Sequence, residues 1–186
     1  MGVSLARTGL LTLALALGTA IAHPAQAQYF SWQPPSWLGS PNDPARVELG
    51  AGAFDVTPSS SHPDSRTAAE LRAEYHFRDT LWFLQPFVGV SGTSGGGFYG
   101  YGGLGFDINF TPNWVLTPNA AAGYFARGGG TNLGSWWEFR TGAELAYRMP
   151  DYSRIGVNFN HTSNAGLTKR NPGEQSVVLT YSVPMP

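Results

Sequence analysis

The 186-residue sequence carries 11 Lys and Arg against 12 Asp and Glu, a formal net charge of −1, and no cysteine. Such a balance gives a nucleic-acid partner no support, and the missing thiols exclude a disulfide framework and a lipid-anchored cysteine. Charged residues make up only 12% of the chain against 13% aromatics and 24 glycines, a composition suited to a membrane barrel with aromatic girdles.

Residues 1–27 read as a secretory signal peptide. Arg7 supplies the positive charge, Gly9 to Ala22 the apolar run, and Ala25-Gln26-Ala27 a small-residue cleavage site. Beyond it no apolar stretch reaches the ~18 residues of a spanning helix. Residues 28–45 are rich in Pro and Trp without any period, and are expected to form an irregular lead-in against a rim.

From Arg46 onward apolar and polar residues alternate, the two-residue period of a strand with unlike faces. Eight strands are predicted, near 46–57, 68–78, 80–91, 97–110, 113–126, 135–148, 153–163 and 174–183. The second sets Leu71, Ala73 and Tyr75 against Glu70, Arg72, Glu74 and His76; the sixth sets Trp137, Phe139 and Leu145 against Glu138, Arg140 and Glu144. Such charged faces do not fit a sandwich core, but they pair naturally inside a small barrel whose apolar side meets lipid. His76 belongs to that charged face. The third strand alternates least clearly because Pro86 interrupts it. Gaps between strands alternate long and short, Pro58–Thr67, Arg127–Gly134 and Asn164–Gly173 being the long ones. With the N-terminus periplasmic, all three lie outside. The fold expected is all-β: an eight-stranded antiparallel transmembrane β-barrel of the outer-membrane type, in a Gram-negative cell.

The seventh strand carries the candidate chemistry. Ile155, Val157, Phe159, His161 and Ser163 share its lipid-facing side, while Gly156, Asn158, Asn160 and Thr162 take the other. A histidine and a serine two apart stand side by side, their Cα atoms about 6.6 Å apart, within reach of a base–nucleophile pair. Glu174 opens the last strand at the same level and is expected to supply the carboxylate that fixes the imidazole tautomer. Asn164, Asn171 and the backbone near Gly166 and Gly173 are candidate oxyanion donors. Lys169 and Arg170, in the same loop, suit phosphate groups. No spacing of histidines suggests a metal site. Each feature also has a plain structural reading, as strand, turn or solvated loop tip.

The run His161-Thr162-Ser163-Asn164-Ala165-Gly166-Leu167, followed by Asn171-Pro172-Gly173-Glu174, resembles the signature of the PagL-type lipid A 3-O-deacylases. Trp137-Glu138-Phe139-Arg140-Thr141-Gly142-Ala143-Glu144-Leu145 resembles that family's sixth strand. The resemblance implies hydrolysis of the ester at position 3 of lipid A, without a cofactor, by a Ser-His-Glu triad on the barrel's exterior. His161 would be the base, Ser163 the nucleophile and Asn171 an oxyanion-hole residue; a homodimer is implied as well. One position departs. The family's glutamate falls one residue later than Glu174, where this chain has Gln175, and regular alternation turns Gln175 outward and Glu174 inward. Glu174 reaches the histidine only through a one-residue bulge.

Three readings therefore stand: an outer-membrane serine esterase acting on lipid A, a non-catalytic structural or adhesive barrel, and a phospholipase using the same residues. Ser163→Ala separates the second from the other two.

Overall fold

The computed structural model describes residues 33–186; the signal segment and the start of the lead-in lie outside the described residues. The strands are β1 (Arg46–Phe54), β2 (Ala68–His76), β3 (Gln85–Thr93), β4 (Phe98–Gly105), β5 (Ile108–Asn109), β6 (Trp114–Ala126), β7 (Trp137–Arg148), β8 (Arg154–Ser163) and β9 (Glu174–Pro184). Each long strand pairs antiparallel with its neighbours. β1 pairs with β9, and β4 with β6, so the sheet closes. The short β5 continues the line of β4 against β6. The result is an eight-stranded antiparallel barrel.

The break between β4 and β5 has a local cause. The register Gly105↔Asn119 and Ile108↔Leu116 sets Phe106 opposite Pro118. Proline has no N–H, so the ladder lacks a donor there; only Phe106 N–H to Pro118 O remains, at 3.1 Å. On the opposite edge the Asp107 carbonyl accepts from Gly39 N–H at 2.7 Å. The lead-in is thereby tied to the short-turn end of the barrel, where Leu38 also bridges Ile108. β3 begins later than the alternation predicts. Residues 77–84 form a turn in which Leu81 and Leu84 bridge and Trp82 takes φ +67°. Pro86 falls at the start of the strand, where its missing N–H is tolerated.

The polarity is inverted relative to a soluble protein. Leu49, Leu71, Val88, Leu145, Val157 and Leu179 are exposed, whereas Arg46, Arg72, Arg140 and Arg154 inside are at most 5% exposed. Aromatic residues band both ends, with Trp114 and Tyr147 edge to face at 5.4 Å near the short turns and Trp136, Trp137 and Tyr124 exposed near the long loops. This is a transmembrane barrel, its exterior matched to lipid and its lumen filled.

Buried charges require partners. Glu74 accepts from Tyr101 Oη at 2.7 Å, pairs with Arg140 at 2.9 Å, and meets His76 Nε2 at 3.1 Å. Arg140 also lies 4.2 Å above the Tyr101 ring. At the short-turn end Arg154 bridges Asp107 and Asp43, each at 2.7 Å. Above this network Phe54, Tyr99, Phe125 and Leu133 form an apolar plug under the long loops. Replacing Glu74 by Ala strips three groups of their shared acceptor and leaves Arg140 charged and unpaired. The barrel is expected to lose about 3–5 kcal/mol, read as a lower urea midpoint of the refolded protein in detergent micelles.

Candidate active site

β8 presents its residues alternately, as the sequence pattern requires. Arg154, Asn158, Asn160 and Thr162 are buried in the lumen; Ile155, Val157 and Phe159 are exposed outside, and His161 and Ser163 follow them, half-buried. Across the ladders His161 faces Thr141 of β7 and Gln175 of β9, while Ser163 faces Phe139. Among the described residues no hydrogen bond joins the serine hydroxyl to the imidazole. The two stand side by side at the long-loop end.

The expected bulge does not form. The β8–β9 register runs unbroken from Arg154↔Ser182 to His161↔Gln175 and Thr162↔Glu174. Neighbouring residues on a regular strand point to opposite faces, so Glu174 turns into the lumen, only 1% exposed. There its Oε2 accepts from Ser176 Oγ at 2.9 Å and from Asp55 N–H at 3.2 Å. Glu174 is therefore a lumen residue and does not reach His161. Gln175 takes that place, its side-chain Nε2 lying 3.2 Å from His161 Nδ1. Its Oε1 is bonded by the Thr57 hydroxyl, and its backbone carbonyl accepts from Val56 N–H at 2.8 Å. The alternation carries the first strand to residue 57 and so gives Thr57 no role of its own; β1 in fact ends at Phe54, and Thr57 lies in the loop beyond it.

The loop 164–173 is built around Asn164, which is fully buried. Its Nδ2 donates to Leu133 O, Arg170 O and Thr168 Oγ1, and its Oδ1 accepts from Gly166 N–H at 3.0 Å. Both Asn164 and the Gly166 amide are thus spent on the turn and are unavailable as oxyanion donors. Asn171 differs. Its Oδ1 accepts from Asn164 N–H at 3.0 Å, which fixes the amide while its Nδ2 has no partner among the described residues. Gly173 takes φ +66°, and a Cβ there would stand 2.7 Å from His161 Cε1. The glycine is the space in which the imidazole sits.

The two basic residues of the loop part company. Lys169 is exposed at the tip, whereas Arg170 pairs with Asp64 of the first long loop and donates to Asn132 O of the second at 2.9 Å. Arg170 is a latch between loops, not a free phosphate ligand. Asp64 is held below the ordinary carboxylate range: burial raises it, but its own amide, Arg170 and the Asn132 amide together outweigh that.

Inside the lumen Glu48, Glu74 and His76 offer ligand atoms within 4.8 Å of one another. Arg46 Nη2 lies 3.0 Å from His76 Nδ1. A guanidinium only donates, so Nδ1 accepts and the imidazole proton sits on Nε2, aimed at Glu74. The histidine here is a paired member of the lumen network, with no lone pair turned toward a metal.

The profile of the family "Lipid A 3-O-deacylase (PagL)" matches residues 67–184, from the start of β2 to the end of β9. The chain belongs to the PagL family. That family is one of ester hydrolases acting on lipid A. Over 50 residues the chain is 38% identical to lipid A deacylase PagL of Bordetella bronchiseptica, a match spanning 27% of this chain and 28% of that relative. The crystal structure of the outer membrane enzyme PagL superposes with a TM-score of 0.60 at 21% identity, covering 75% of this chain and 99% of that one. At that identity the likeness concerns the barrel alone.

Two outcomes follow for this PagL-family site. Gly173→Ala is expected to displace the imidazole and slow labelling of Ser163 by a fluorophosphonate roughly 100-fold, as misplacement by an ångström does, while the barrel stays folded. The Asp64–Arg170 latch should hold at neutral pH and release as pH falls through the lowered pKa of Asp64, because a depressed carboxyl stabilises only while ionised. Amide exchange in 129–134 and 164–173, corrected for intrinsic rates, rises on acidification; Asp64→Asn raises it already at neutral pH.

Proposed function

We propose that the protein is an outer-membrane serine esterase that removes the 3-O-linked acyl chain of lipid A. The observation that carries this reading is the placement of His161, Ser163 and Gln175 together on the lipid-facing exterior at the long-loop end, in a chain of the PagL family. A site on that surface meets acyl esters where they already lie, in the outer leaflet, without extracting them from the membrane.

In this mechanism His161 Nε2 takes the Ser163 proton as Oγ bonds to the ester carbonyl carbon. The carbonyl oxygen becomes an oxyanion facing Asn171 Nδ2, a donor with no partner among the described residues. Collapse breaks the bond to the sugar oxygen, which receives the proton from the imidazolium. Water then attacks the acyl-enzyme, again losing a proton to His161, and frees the fatty acid and Ser163. Lys169 is the cation left to meet a phosphate of the headgroup. Gln175 holds the imidazole but brings no charge to the imidazolium, so turnover should be slower than with a carboxylate.

The test is refolded barrel with lipid A, read by mass spectrometry. Wild type is expected to release one hydroxyacyl chain from position 3, and Ser163→Ala none. Gln175→Glu should accelerate release roughly ten- to a hundredfold, a fraction of what amide replacement removes from a serine protease triad. Intact lipid A with wild type, or equal activity of Ser163→Ala, would return the protein to the non-catalytic reading. Cleavage of glycerophospholipid in preference to lipid A would favour a phospholipase.

A further inference from the structure

The esterase reading leaves open how an amide in the acid position keeps the histidine competent. It matters which end of the Gln175 amide meets His161. In the structure Nε2 faces Nδ1, and Oε1 accepts from the Thr57 hydroxyl. An amide nitrogen only donates. In this orientation Nδ1 must accept, the imidazole proton must sit on Nε2, and neither nitrogen is left to take a proton from Ser163. Turned about its last bond, the same amide fills the same space. Oε1 then accepts from Nδ1–H, Nε2–H donates to Thr57, and His161 Nε2 is free to act as a base. A hydroxyl both donates and accepts, so Thr57 serves either orientation.

We propose that Thr57 is a positioning residue for the reaction: its hydroxyl holds the far end of the Gln175 amide in either orientation, and so keeps the amide against His161 Nδ1. The inference rests on the esterase reading. Three features support it. Thr57 is bonded to the amide end remote from the histidine, so its hydroxyl anchors the amide while the other end faces Nδ1. The adjoining Val56 N–H grips the Gln175 carbonyl at 2.8 Å, which fixes the loop beside the side chain. Thr57 itself is exposed and touches neither His161 nor Ser163 among the contacts of the described residues, so it acts only through the amide.

A side chain that only accepts forces the productive orientation, and one without polar atoms leaves the amide unheld. The experiment measures kcat and KM of refolded wild type, Thr57→Val, Thr57→Ser and Thr57→Asp on lipid A, with Ser163→Ala as control and the folded fraction of each judged by heat-modifiable gel mobility. The four are repeated in a Gln175→Glu background, where both side-chain oxygens accept and orientation no longer matters. Expected is a fall in kcat of about fivefold for Thr57→Val, the weight of one ordinary hydrogen bond, with KM unchanged. Thr57→Ser should recover most of the loss, and Thr57→Asp should raise kcat above wild type. In the Gln175→Glu background the Val effect shrinks and the Asp gain disappears, since two carboxylates then face each other. Equal effects of each substitution in both backgrounds, or effects confined to KM, would overturn the inference and leave Thr57 a structural contact. Activity of Ser163→Ala equal to wild type would instead sink the esterase reading itself.

Discussion

Everything in this molecule depends on the parity of a closed antiparallel sheet. Each residue of a strand has one of two destinations, lumen or lipid, and with no bulge between β8 and β9 the choice made at one end holds to the other. The lumen decides the parity. Arg154 must reach Asp107 and Asp43, and Arg140 must reach Glu74, because each is buried beyond the help of water. A slip of one residue would carry those guanidinium groups into lipid. At the far end Asn164 is locked by three side-chain donations. Pinned at both ends, β8 has no freedom left, so His161 and Ser163 face outward as a consequence of charges they never touch.

That parity is what made the fold legible. Charged and apolar residues alternate so plainly in β2 and β7 that a filled barrel was the only economical reading. The places that escaped are those where a neighbouring strand intervenes. The fourth predicted strand reads as continuous over 97–110 because nothing in it announces that Pro118, across the ladder, lacks a donor. The third predicted strand starts early because the apolar run Leu81-Trp82-Phe83-Leu84 gives no sign that Leu81 and Leu84 close a turn.

The site divided in the same way. The strand residues His161 and Ser163 lie where alternation puts them, on the barrel's exterior. Glu174 was expected outside because catalysis favours a carboxylate, although alternation already turned it inward; backbone geometry prevailed over chemical preference. The loop residues were the least legible. Asn164, Gly166 and Arg170 look like donors and cations when read singly. Gly166 is spent on Asn164 within its own turn, and the partners of Asn164 and Arg170, Leu133, Asn132 and Asp64, come from other loops at distances in sequence that no local pattern reveals.

An amide beside the histidine also makes physical sense on this surface. Two charges about 4 Å apart interact by about 4 kcal/mol at an effective dielectric of 20, and more as water is excluded. A glutamate at Gln175 would therefore help the imidazolium greatly in the transition state. It would also have to stay ionised in the resting enzyme, on a face that continues Val157 and Phe159 toward lipid, with a neutral imidazole and a hydroxyl as its immediate partners. Desolvation there opposes the charge. A neutral Thr57–Gln175–His161 chain removes the resting penalty and gives up part of the transition-state gain. Glu174, one residue away, faces the lumen instead, where a hydroxyl and a backbone amide donate to it. The carboxylate takes the side where two donors converge on it, and the neutral dipole the side where lipid begins.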